Sequence, residues 1–105
     1  MDKIELEELK NRFSEVFRRN RVKKAVLFGS AARGTESKKS DLDIMIVVET
    51  DKRFFDRYDD FLDLYQMGGP RGLDLLIYTP EELESISHRR FIRGILTEGK
   101  TLYEQ

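Results

Sequence analysis

Residues 25–48, AVLFGSAARGTESKKSDLDIMIVV, decide the fold. Ala25 to Phe28 is an unbroken apolar run, which suits a strand buried on both faces. At Gly29 the side chain vanishes, so the backbone can turn sharply and a ligand can approach. Ser30 places a hydroxyl where the next helix would begin, and the free N–H groups of a helix start attract phosphate. After a spacer of ten residues come Asp41 and Asp43, at the head of a second apolar run from Ile44 to Val48. Strand side chains alternate, so the two carboxylates point to one face with their Cα atoms roughly 6.5–7 Å apart. Two acids so spaced, next to a phosphate-friendly turn, make a site for Mg²⁺ and a nucleoside triphosphate.

Working outward, residues 2–19 carry Leu6, Leu9, Phe13, Val16 and Phe17 at helical spacing, which predicts a helix over one face of the sheet. Arg18, Arg19, Arg21, Lys23 and Lys24 follow as a cationic helix end, favoured there by the helix dipole. Beyond the second strand, Thr50 or Asp51 is expected to cap a helix with Phe54, Phe55, Tyr58, Phe61, Leu62 and Tyr65 on its buried face. Its acids Asp56, Asp59, Asp60 and Asp63 are expected to be solvated or paired with Arg53 and Arg57. Residues 67–72, MGGPRG, form a turn by composition, from which Arg71 could reach a triphosphate. Residues 73–78 read as a third strand, with Asp74 an acid in an apolar run; burial without a partner would be costly. Thr79-Pro80-Glu81-Glu82 is a helix start, with cap, proline and a capping-box acid. Phe91, Ile92, Ile95 and Leu96 mark a further apolar helix face, ending at Gly99 as C-cap. His88 reads as decoration of a helix start rather than a catalyst. Thr101-Leu102-Tyr103 can add an edge strand. The expectation is one α/β domain spanning 1–105.

Composition narrows the function. Charged residues make up 37% of the chain, above the roughly one-quarter of ordinary proteins, a surplus that suits surface ion-pair networks. Yet 19 basic and 20 acidic side chains nearly cancel, which argues against nucleic acid as the main partner. With no cysteine there is neither a disulfide framework nor a thiolate zinc site. The charged N-terminus and the lack of a long apolar run point away from a signal peptide or membrane span, and so to the cytoplasm.

Gly29-Ser30, the spacer containing Ala32-Arg33-Gly34, and Asp41-Leu42-Asp43 together resemble the nucleotidyltransferase signature of the DNA polymerase beta superfamily. The likeness is greatest to its minimal nucleotidyltransferase branch, small single-domain proteins, and extends in element order to the tail Glu98-Gly99-Lys100-Thr101-Leu102-Tyr103. The resemblance implies a polymerase-beta-like α/β (α+β) fold, a small mixed sheet of three to four strands flanked by helices. It implies that Asp41 and Asp43 hold the metal carrying ATP, and that Asp74 joins them at a second Mg²⁺ and helps deprotonate the acceptor. Gly29 and Ser30 would cradle the β- and γ-phosphates. Arg33 would pair with phosphate or brace the loop, and Lys38 and Lys39 lie near the acids in sequence. Larger relatives carry an extra domain that grips the acceptor, and this chain ends before one could begin. In the minimal branch the acceptor is commonly a tyrosine of a HEPN-family toxin, AMPylated by the nucleotidyltransferase acting as antitoxin in a type VII-like pair. A binding-only antitoxin, or transfer to a small molecule or RNA end, are the alternatives; the intact acids weigh against the first. A homo-oligomer stays open.

Overall fold

The computed structural model describes residues 1–34, 41–69 and 71–105. Its frame is a four-stranded mixed sheet ordered β3-β2-β1-β4, built from β1 (Lys24–Phe28), β2 (Leu42–Val47), β3 (Leu73–Tyr78) and β4 (Lys100–Glu104). β1 runs antiparallel to both β2 and β4, while β2 and β3 are parallel. The C-terminal tail is therefore an edge strand, as its sequence allowed. No helix among the described residues is long and apolar enough to cross a membrane.

Period-two alternation sends each strand's side chains to two separate cores. Ala25 and Leu27, Ile44 and Ile46, and Leu75 and Ile77 pack with Leu9, Phe13, Val16 and Phe17 of α1 (Lys3–Arg19). Val26 and Phe28, Met45 and Val47 face the opposite way, against Ile92 and Ile95 of α5 (Arg90–Glu98), with Leu83 and Ile86 of α4 (Pro80–Ile86) beside them. Both faces of β1 are thus covered, which is why its sequence shows no alternation. Each fully buried Leu, Ile or Phe contributes roughly 1.5–3 kcal/mol, so these layers hold the sheet edges in register.

The segment after β2 departs from expectation. Residues Phe54–Phe61 form a 3₁₀ helix that runs into the short α3 (Leu62–Met67). Its N-cap is Arg53, and the Thr50 hydroxyl instead accepts from the Lys52 N–H. A 3₁₀ helix repeats every three residues rather than every 3.6, so the expected buried face breaks up. Phe61 and Leu64 are buried, whereas Phe55 is 82% exposed and Leu62 and Tyr65 remain partly in solvent. The ion pairs also differ: Asp60 meets Lys52, Asp63 meets Arg19, and Arg57 turns inward to Glu82. The residues Phe54, Phe55, Tyr58 and Tyr78 stack edge-on or tilted along this side. Tyr58 Oη donates to the Leu75 carbonyl at 2.6 Å and Arg57 to the Ile77 carbonyl at 2.9 Å, so side chains occupy the free edge of β3.

α4 begins as the sequence predicts, with Thr79 and Glu82 forming a complete capping box behind Pro80. α5 ends at Gly99, whose φ of −68° is ordinary. A glycine is needed there for proximity instead: a Cβ would lie 2.3 Å from Val26 Cγ1 and 2.5 Å from the Ile95 carbonyl oxygen. Of the expected α5 face only Ile92 and Ile95 are buried; Phe91 and Leu96 are exposed.

Candidate active site

The sheet register assembles the site. Phe28 at the end of β1 lies opposite Asp43, and Asp43 lies beside Asp74 in the parallel pairing of β2 and β3. These three residues form a row across the sheet, and alternation turns the row toward the α5 side, where Met45 and Val47 also point. Asp74 is exposed rather than buried in its apolar strand, because β3 is the sheet edge and presents this position to solvent.

Asp43 is half-buried and its carboxyl is held above the usual carboxylate range. Burial is the main cause; the charge of Asp74, a hydrogen bond to it and the charge of Asp41 add to it, and Arg33 opposes it. When protonated, Asp43 donates to Asp74. Crowded carboxylates of this kind repel one another until a cation or proton intervenes. Asp41, exposed one residue before β2, rests its carboxylate against Gly72, so that a Cβ there would come within 2.6 Å of its Oδ1. Among the described residues, no three His, Cys, Asp or Glu side chains close round one point as a ready-made metal cage. Mg²⁺ does not demand one: it binds through one or two carboxylates, substrate phosphate oxygens and water. The Asp43–Asp74 pair, with Asp41 near, fits that requirement.

Gly29 opens the five-residue α2 (Gly29–Arg33) with φ of +72°, and a Cβ on it would lie 2.3 Å from Asp43 Oδ2. The turn therefore needs glycine twice, for its left-handed backbone and for the carboxylate pressed against it. Gly34, φ +76°, closes the helix in the left-handed region. Ser30 and Arg33 project from this helix, with Arg33 near enough to Asp43 to act on its charge. Gly29→Ala is expected to lower the melting temperature by roughly 5–10 °C, from about 1–2 kcal/mol of backbone and steric strain. It should also displace Asp43. A differential scanning fluorimetry trace that overlays wild type would refute this account of the turn.

Gly29, Arg33 and Asp43 open into a cleft of about 460 Å³. Its far wall is α5, through Arg90, Phe91 and Gly94. Sequence reasoning assigned α5 only to packing. The missed signal was Gly94 inside the helix, a position that costs stability unless something needs the space. Tyr65 has its hydroxyl pKa pushed up by burial and then by the charge of Asp74. His88 is exposed in the turn before α5. Lys38 and Lys39, expected near the acids, lie outside the described residues, as does Pro70 of the loop bearing Arg71.

Comparison with known proteins gives the chain a family and its fold solved relatives. Residues 11–105 match the family described as Polymerase beta, Nucleotidyltransferase. A protein of Methanocaldococcus jannaschii provisionally named a protein adenylyltransferase, MJ0604, is 34% identical over 85 residues, covering 81% of this chain and 82% of that protein. A crystal structure of a toxin–antitoxin with AMP-PNP superimposes with a TM-score of 0.67 at 23% identity, over 91% of this chain and 73% of that one. A tri-AMPylated HEPN toxin from Shewanella oneidensis in complex with its MNT antitoxin gives a TM-score of 0.59 at 17% identity, over 95% and 73%. At such identities the structural matches speak for the fold alone.

Proposed function

The chain belongs to the polymerase beta nucleotidyltransferase family, and from that premise we propose that it transfers AMP from ATP to a tyrosine hydroxyl of a HEPN-family toxin, as the antitoxin of the pair, in the cytoplasm. The observation that carries this reading is that Gly29 and Asp43 line one cleft while the sheet register sets Asp74 beside Asp43. A relative named for protein adenylylation and a structural neighbour described as an AMPylated toxin bound to its antitoxin support the choice of a protein acceptor.

Asp43 and Asp74, with Asp41, are the residues that would hold Mg²⁺; bound there, the metal supplies neutralisation of the triphosphate charge. The chain's own groups do the rest. Backbone N–H groups at Gly29 and Ser30 would receive the β- and γ-phosphates, and Arg33 would offset their charge. The acceptor oxygen would enter from the exposed edge at β3, where Asp74 can take its proton. That oxygen forms a bond to the α-phosphorus, the bond from the α-phosphorus to the bridging oxygen breaks, and pyrophosphate leaves. Holding both reactants in line is the largest service a site this small can give.

Incubation of the protein with α-labelled ATP, Mg²⁺ and the product of its neighbouring gene is expected to label that product, and the product is expected to be a HEPN-family protein. Replacing the acceptor tyrosine by phenylalanine should remove the label. A stable complex with no label would overturn the enzymatic reading in favour of neutralisation by binding alone.

A further inference from the structure

We propose that α5 is the base-binding wall of the nucleotide site, with Phe91 and Gly94 receiving the flat face of a purine and Arg90 meeting the phosphates from the α5 side. The inference rests on nucleotidyl transfer as the function and names which surface selects the nucleotide.

Three features of α5 stay open toward the cleft. Phe91 leaves 61% of its surface in solvent, while its ring is steadied edge-on against Phe28 at 5.9 Å and 87°. Gly94 lies one turn further along the helix, on the same side. A glycine in a helix interior costs roughly 0.5–1 kcal/mol relative to alanine, and here nothing lies within 4 Å of where a Cβ would be. No neighbour therefore requires the glycine, but a flat ring laid on the helix backbone would. Arg90 makes no ion pair among the described residues, although it lines the same cleft as Asp43 and Arg33.

Position selects the occupant. The cleft is continuous with Gly29 and Asp43, so a nucleotide whose α-phosphate sits at the acids has its base and sugar within reach of α5. About 460 Å³ lies within the range of small-ligand sites. The lining supplies an exposed aromatic ring and a bare stretch of helix for a heterocycle, and two arginines from separate elements for a polyanion. A two-ring purine covers more of that wall than a pyrimidine.

The test is calorimetric titration of the full chain with the non-transferable α,β-methylene analogues of ATP and CTP in Mg²⁺. The purine analogue should bind at least about tenfold more tightly. Gly94→Leu should weaken purine binding at least about tenfold while its melting temperature holds or rises, since leucine is the better helix former. Phe91→Ala should weaken it roughly 5- to 150-fold, the range for losing one base–aromatic stack, and Phe91→Trp should preserve it. Phe91 is exposed, so that pair decides the matter even if Gly94→Leu fails to fold. Wild-type binding untouched by these substitutions would overturn the base wall and leave nucleotidyl transfer standing. No nucleotide binding by the wild type would overturn both. Purine binding that depends on Phe91 and Gly94, without transfer to any HEPN protein, would uphold the wall and sink the proposed acceptor.

Discussion

Asp43→Asn is expected to reduce AMP transfer by roughly 10²–10³-fold or more, the scale set by losing one group that stabilises transition-state charge, and at the same time to raise the melting temperature of the metal-free protein. The two effects share one cause. Asp43 sits half-buried, beside Asp74 and near Asp41, and its carboxyl is held above the ordinary range chiefly by burial and then by those charges. For an acid whose folded-state pKa is raised, the folded protein binds the proton more tightly than the unfolded chain does. Stability therefore falls as pH rises through the window between the unfolded value, about 3.9, and the higher folded value. At neutral pH the whole penalty is in force. Asparagine removes the charge, keeps the shape, and can donate its amide hydrogen to Asp74. The penalty is useful to the wild type, because the same crowding favours a divalent cation: Mg²⁺ with ATP should raise the wild-type melting temperature and leave the variant's nearly unmoved. Paired thermal melts at pH 7 with and without Mg²⁺–ATP, beside the labelling assay, check both halves. Retained transfer, or a variant that melts below wild type without metal, would remove Asp43 from the centre of the site.

Arg57→Ala carries the largest expected loss of stability. The guanidinium is 7% exposed and has four hydrogen bonds: to the Lys52 carbonyl at 3.0 Å, the Ile77 carbonyl at 2.9 Å, and the two carboxylate oxygens of Glu82 at 2.6 and 2.9 Å. It joins the 3₁₀ helix, the end of β3 and the start of α4. Glu82 also accepts from the Thr79 N–H at 2.9 Å, so the pair and the capping box share one carboxylate. Truncation strands the Ile77 carbonyl and leaves Glu82 without its cation. Breaking a fully buried pair costs about 3–5 kcal/mol. Glu82 is 43% exposed, so water recovers part of that, and a loss of about 2–3 kcal/mol is expected. The melting temperature should fall by roughly 10–20 °C. Glu82→Gln should cost less, since the amide still accepts from Thr79 and Arg57. The pH dependence has a defined sign. Glu82 is lowered from 4.5 to about 2, first by its bond to Arg57, so its contribution is complete above pH 4.5 and fades as pH drops toward 2. The gap in melting temperature between wild type and Arg57→Ala should narrow over that interval. A gap constant down to pH 2 would mean that the ion pair is not the source of the loss.

The local signals in the chain were strong where the physics is local. The apolar run before Gly29 and the Thr79–Glu82 capping box each depend on residues close in sequence, and each appears in the fold. The helix of residues 54–65 was harder to read because helical periodicity shows which side chains share a face but not whether that face is covered. Phe61 and Phe55 look alike in sequence, and only the packing against β3 and α1 separates the buried ring from the exposed one. The partner of Arg57 was equally hidden. Asp60, three residues away, is the local choice, and Glu82 becomes the partner only once β3 brings α4 alongside.

By itself, then, the sequence determined the α/β class, the turn at Gly29, the candidate acids Asp41, Asp43 and Asp74, and the family resemblance that the comparisons bear out, because turn chemistry and strand alternation are written within a few residues. Only the tertiary structure decided that Phe28, Asp43 and Asp74 stand in one row, that Asp41 rests against Gly72, and that α5 walls the cleft beside Asp43. Those relations follow from strand order and register, which are set by how two distant apolar faces bury each other and not by any stretch of chain alone.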